Sequence, residues 1–127
     1  MEFRETKGIY FQIYEYFIDR ILSGEWKEDE KLPSIRDIAV DMEVNPNTAA
    51  RAYAFLQEKQ IIQNRRGIGY FLSPGGSDNA RKWKKEDFVK NQLPYVFRSM
   101  QLTGLGSGEI KKLYDDFCKG VKYEKKQ

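Results

Sequence analysis

Apolar residues recur at helical spacing in three stretches near the start of the chain. Between Ile9 and Leu22, the segment IYFQIYEYFIDRIL places Tyr10, Ile13, Tyr14, Phe17, Ile21 and Leu22 along one side. Ser23-Gly24 ends the helix they predict. In LPSIRDIAVDM, Ile35, Ile38, Ala39 and Met42 follow the i, i+3, i+4, i+7 rule, and Ser34 with Asp37 has the layout of a capping box. A third helix opens in VNPNTAARAY, where Asn45 suits the N-cap and Pro46 the first helical position, whose N–H is unpaired in any case. At about 100° per residue, Ala49, Ala52, Tyr53 and Leu56 share one face of that helix, while Asn47, Arg51, Ala54 and Glu58 point away.

Only Glu43 and Val44 separate the second and third helices, the short link of a helix-turn-helix, and the small Ala39 and Ala49 allow a close crossing. IIQNRRGIGYFLS then predicts two strands, Ile61 to Arg65 and Ile68 to Leu72, around a turn at Arg66-Gly67. Three helices followed by a hairpin is the layout of a winged helix. Pro74 to Asn79 is a break that marks a domain boundary, giving domains 1–74 and 75–127. Beyond it RKWKKEDFVKNQ reads as helical, and Pro94 kinks or restarts the chain. LPYVFRSMQL follows with Leu93, Val96, Phe97 and Met100 on one side. After a second break at Thr103 to Gly106, Ser107 is placed to cap a last helix with Ile110, Leu113, Tyr114 and Phe117 inward. The fold class expected is mainly α with a small β-hairpin: a winged helix-turn-helix domain and a short helical dimerisation appendage. Helices this short find a partner for their apolar faces, so Trp83, Phe88, Tyr95, Phe97, Tyr114 and Phe117 read as a dimer core in preference to a ligand pocket.

The composition fits a globular chain with a wet surface, 40% hydrophobic and 32% charged over 127 residues. No apolar run approaches a membrane span and MEFRETKG lacks a signal layout, so a cytoplasmic location with no membrane partner is expected. There is no histidine, and Cys118 is the single cysteine. That removes Cys/His zinc sites and both Ser-His-Asp and Cys-His catalysis; the expectation is a non-enzyme without cofactor or metal. The net charge of +3 is unevenly spread: residues 1–43 hold 6 basic against 11 acidic, whereas residues 44–75 hold four basic residues (Arg51, Lys59, Arg65, Arg66) and one acid, Glu58. A phosphate-contacting surface must therefore be narrow and lie in that second stretch.

The start of the third helix has the chemistry for such a surface. A helix N-terminus offers free N–H groups and a positive dipole end. Asn can bond the adenine edge twice, Thr can bond phosphate or meet a thymine methyl, and Arg can grip guanine or phosphate. Asn45, Asn47, Thr48 and Arg51 are the candidate readers. In RRGIG, Gly67 and Gly69 permit a tight hairpin able to approach a minor groove, with Arg65 and Arg66 beside it. Taken singly, each feature also has a purely structural reading, as helix caps or as a soluble hairpin. Together they lie in the order and at the distance that a recognition helix and its wing require.

The stretch LPSIRDIAVDMEVNPNTAARAYAFLQEKQIIQNRRGIGYFL resembles the N-terminal domain of GntR-family transcription regulators, and VNPNT followed by RAY is similar to their YtrA-type subfamily. The likeness covers Ile9 to Leu72 well, and the remaining third resembles the small dimerisation appendage of YtrA-type members. It implies a homodimeric repressor bound to double-stranded DNA at a palindromic operator, with no small-molecule effector specified. Arg36 matches the DNA-contacting Arg of LPSxR, with Ser34 beside it; Asn47 and Thr48 match the polar pair of the recognition helix, and Gly67 the wing-tip glycine. Many members have Arg where this chain has Pro46, and another where it has Ala50, so base reading by those side chains does not transfer. KEDEK replaces a frequent Pro-Gly turn and makes that loop acidic. The dimerisation residues implied are Phe88, Leu93, Val96, Phe97, Met100, Leu113, Tyr114 and Phe117. The alternative reading is a winged helix that serves as a protein-interaction module.

Overall fold

The computed structural model describes residues 3–120, with the side chains of residue 8 and residues 10–120. Along the chain come α1 (Phe3–Leu22), α2 (Ile35–Asp41), α3 (Pro46–Glu58), β1 (Ile62–Arg65), β2 (Gly69–Leu72) and α4 (Gly76–Asp87). A π-helical turn (Phe88–Gln92) leads to α5 (Leu93–Thr103) and α6 (Ser107–Cys118). The expected helix start at Ile9 follows a break inside α1, where Gly8 leaves helical geometry with φ 64° and ψ −147°.

The caps of the helix-turn-helix are those the sequence predicts. Ser34 Oγ accepts from the Asp37 N–H at 3.0 Å while the Asp37 carboxylate accepts from the Ser34 N–H. Asn45 Oδ1 accepts from the Asn47 N–H at 2.7 Å, and Pro46 follows at the first position. The link between the helices closes as a Schellman turn: Val44 N–H reaches the Ala39 carbonyl at 2.9 Å and Glu43 N–H the Val40 carbonyl at 3.2 Å. Glu43 takes the left-handed position at φ 55°, where glycine is usual.

The core forms where α1, α2 and α3 meet the base of the hairpin. Ile13, Phe17, Ile18 and Ile21 pack with Ile38 and Ala39 and with the fully buried Ala49, Ala52, Tyr53 and Leu56, the α3 face that the periodicity assigns. Ile61, Ile62 and Leu72 close it from the hairpin side. β1 and β2 pair antiparallel from Ile62↔Leu72 to Arg65↔Gly69. Each strand starts one residue later than the apolar runs suggest. The turn closes with Ile68 N–H on the Arg65 carbonyl at 2.8 Å, and Gly67 supplies its positive φ of 79°. An unexpected third segment joins the sheet edge, where Lys31 bridges to Phe71 and Leu32 N–H donates to the Tyr70 carbonyl at 2.8 Å.

The domain boundary expected at Pro74 moves to Phe88, since the described residues fall into one compact unit ending there and a second beginning at Val89. The physical reason is a second apolar stripe on α1. Phe11, buried to 3%, has the Trp83 ring at 6.3 Å, and Trp83 also stands edge-on to Tyr14 and Phe55 at 5.7 and 5.9 Å. A helix apolar on two sides needs cover on both, and α4 supplies it. Trp83 therefore belongs to the first unit's packing, a correction to its assignment to a dimer core. The glycine-rich break lets α4 fold back closely: a Cβ on Gly76 would strike the Ile61 carbonyl oxygen, and Asn79 Nδ2 donates to the Gln60 carbonyl at 2.9 Å.

In the second unit, Pro94 lies in the first turn of α5, so the helix restarts there as expected. α5 ends at Gly104, with Leu105 N–H on the Met100 carbonyl at 3.0 Å. The N-cap of α6 is Gly106 and not Ser107, which occupies the first helical position without a side-chain cap bond. None of residues 89–120 is buried.

Candidate nucleic-acid interface

Tyr53 anchors the start of α2 to α3. Its side chain is wholly buried on α3, edge-on to Phe17 and Tyr70 at 5.1 and 4.8 Å, and its hydroxyl lies 2.7 Å from the Pro33 carbonyl and 3.2 Å from that of Ser34. Burial, with the neighbouring Tyr70, Asp37 and Tyr16, pushes the phenol far above the ordinary tyrosine value, so it remains a donor. The start of α2 is thereby tied to the middle of α3.

On that frame Arg36 stands exposed in the first turn of α2. Asn47 and Arg51 are exposed on α3, opposite the buried face, and Thr48 is half-buried between. No acidic residue lies in the first turn of α3, so the positive end of its dipole is not offset locally. The Arg51 guanidinium lies 5.1 Å from the centre of the Tyr10 ring, a cation–π distance that gives this long side chain a floor. The α1 periodicity places Tyr10 on the apolar side but gives no sign of this second use. Ser34 and Asn45 use their side-chain oxygens as caps.

The wing separates two arginines that the sequence treats alike. Arg66 is exposed at the tip with Gly67 and Ile68, and Ile68 is 59% exposed despite being apolar. Arg65 instead lies with its guanidinium 4.0 Å above the Phe71 ring and 3.6 Å from the Asp29 carboxylate. Gly69 admits the Lys31 stem, since a Cβ there would come within 2.7 Å of Lys31 Cε. The sequence marks Asp29, with Glu28 and Glu30, as part of an acidic loop that does not touch phosphate, but gives no sign of its pairing with Arg65.

Of the residues assigned to dimerisation, Phe88 is the last of the first unit and 42% exposed. Leu93, Val96, Met100 and Leu113 are half-buried. Phe97, Tyr114 and Phe117 are 53%, 64% and 65% exposed. Leu113, Tyr114 and Phe117 line a shallow apolar groove with Leu105 and Ile110. Among the described residues, no helix is long and apolar enough to cross a membrane.

Residues 9–72 match the family model of the bacterial regulatory proteins of the gntR family. The chain belongs to the GntR family. It is 38% identical over 119 residues to the uncharacterized HTH-type transcriptional regulator YhcF of Bacillus subtilis, covering 94% of this chain and 97% of that one. The HTH-type transcriptional repressor YtrA of the same organism is 31% identical over 112 residues, 88% of this chain and 83% of its own. Among solved structures, a GntR family transcriptional regulator from Listeria monocytogenes superposes with a TM-score of 0.67 at 35% identity, covering 90% of this chain and 98% of that one. This GntR protein is therefore a transcription regulator of YtrA type, built on a winged helix-turn-helix DNA-binding fold.

Proposed function

We propose that this GntR regulator is a homodimeric repressor that binds a palindromic operator, each α3 entering a major groove and each wing tip the adjoining minor groove. The observation that carries the reading is the division of α3. One face is wholly buried, and Asn47 and Arg51 stand exposed on the other, at a helix start free of acidic side chains.

Asn47 has the amide geometry for adenine, and Arg51 the fork for guanine or for phosphate. Thr48 supplies a hydroxyl for phosphate or a methyl for thymine, Arg36 a phosphate contact from α2, and Arg66 beside Gly67 a charge for the minor groove. Ser34 and Asn45 act through their caps, by holding the helix starts that present these side chains. The second unit supports the dimer: α5 and α6 carry Tyr95, Phe97, Leu102, Tyr114 and Phe117 more than half exposed, apolar surface that a second copy would cover. Occlusion of promoter DNA by that dimer, in the cytoplasm, would produce repression, as the name of the Bacillus subtilis repressor suggests.

Selection of bound fragments from random duplexes tests the reading. The expected outcome is an inverted repeat whose half-sites are centred one helical turn, roughly 34–36 Å, or a multiple apart. Recovery of no enriched sequence would point instead to a winged helix that contacts other proteins.

A further inference from the structure

The loop before α2 carries Glu28, Asp29 and Glu30, and a backbone bridge, a close side-chain crossing and an ion pair hold it against the wing. Lys31 bridges to Phe71, and Leu32 N–H donates to the Tyr70 carbonyl at 2.8 Å. The Lys31 stem crosses Gly69, passing within 2.7 Å of where a Cβ would stand. Asp29, in a left-handed conformation at φ 73°, brings its carboxylate 3.6 Å from the Arg65 guanidinium. The same guanidinium lies 4.0 Å over the Phe71 ring, so ring and carboxylate together turn Arg65 onto the base of the wing while Arg66 remains exposed at the tip.

A carboxylate facing a guanidinium occupies the place that a DNA phosphate would take. From this arrangement we propose that Asp29 is a specificity-determining residue, which withholds Arg65 from phosphate and leaves Arg66 as the wing's basic contact. The inference rests on the DNA-binding reading above. An arginine free to grip any phosphate adds equally to binding at every sequence, and so dilutes the contribution of the base readers on α3. Asp29 is exposed, and its pairing with Arg65 is weak enough to leave the fold intact when broken. Its effect is therefore expected in DNA binding.

The test is a salt series, from 50 to 200 mM, on the full chain with a random-sequence duplex. Asp29→Asn is expected to tighten binding about 3- to 10-fold at the low-salt end and to steepen the salt slope by about 0.9, the value of one added phosphate contact. Arg65→Ala alone is expected to change affinity less than about 2-fold, whereas Arg66→Ala weakens binding and lowers the slope. In the double variant, Arg65→Ala should erase the gain from Asp29→Asn. Glu28→Gln, which removes the same charge from the same loop, should give a smaller gain. A neutral Asp29→Asn overturns the proposal, as does a gain that survives Arg65→Ala or an equal gain from Glu28→Gln. A wild-type chain that binds no duplex at any salt would instead remove the DNA-binding reading, and this proposal with it.

Discussion

The Tyr53 hydroxyl, at the edge of the core, donates to the Pro33 carbonyl 2.7 Å away, and so joins α3 to a residue twenty positions earlier in the chain. Tyr53→Phe leaves that carbonyl without its donor in a partly buried setting, and is expected to cost about 1 kcal/mol in denaturant unfolding. Burial raises the phenol's pKa above the ordinary 10.0. Above pH 10 the unfolded chain releases this proton while the folded chain keeps it, so folded stability should fall as pH rises; below pH 10 the contribution is complete. Unfolding midpoints between pH 8 and 11 should fall less steeply for Tyr53→Phe than for the wild type.

Gly76→Ala probes how closely α4 docks. The added methyl meets the Ile61 backbone oxygen, an atom that also accepts from the Ser73 N–H at 2.9 Å and cannot easily move. A loss of about 1–3 kcal/mol is expected, as for an overpacked core position. Gly108→Ala, in the first turn of α6 with nothing within 4 Å of the added atom, is the control and should not destabilise the protein.

Glu43→Gly is expected to stabilise the protein. Glu43 sits at φ 55° in the Schellman turn between α2 and α3, an arrangement that costs an L-residue energy and a glycine almost none. The greater freedom of glycine in the unfolded chain offsets part of the gain, leaving about 0.5–1 kcal/mol, readable as a rise in melting temperature.

Shortening the chain separates its two units. A chain ending after Phe88 retains α4 and should unfold cooperatively, like the intact protein. One ending after Pro74 uncovers Phe11, Tyr14 and Phe55, and should lose at least about 2–4 kcal/mol. Analytical ultracentrifugation of the Phe88-ending chain should find monomers, because the apolar faces of α5 and α6 are gone.

These positions also mark the limit of what the sequence reveals. Caps and periodicity are local, so Ser34, Asp37, Asn45, Pro46 and the buried face of α3 were all legible. The candidate readers Asn47 and Arg51 followed from the same helical wheel. Trp83 was not legible, since its partner Phe11 lies more than seventy residues away, on a second stripe of α1 that the dominant apolar pattern obscures. The pairing of Asp29 with Arg65 depends on the loop before α2 meeting the wing, a contact that neither segment's own pattern encodes.

Arg51→Ala divides base reading from phosphate holding. If Arg51 grips guanine over its Tyr10 floor, the loss is about 1–3 kcal/mol on the selected operator, with relaxed preference at one base position. Equal weakening on every sequence would assign it to phosphate.

The central claim, that the exposed half of α3 reads sequence, is tested most directly by titrating the intact protein against the selected operator and a scrambled duplex of equal length. The titrations are run across 50–200 mM salt. A preference of at least about 1,000-fold for the operator is expected at the upper salt, where phosphate contacts alone hold poorly, and a reduced preference in Asn47→Ala. Equal affinity for the two duplexes at every salt would contradict it.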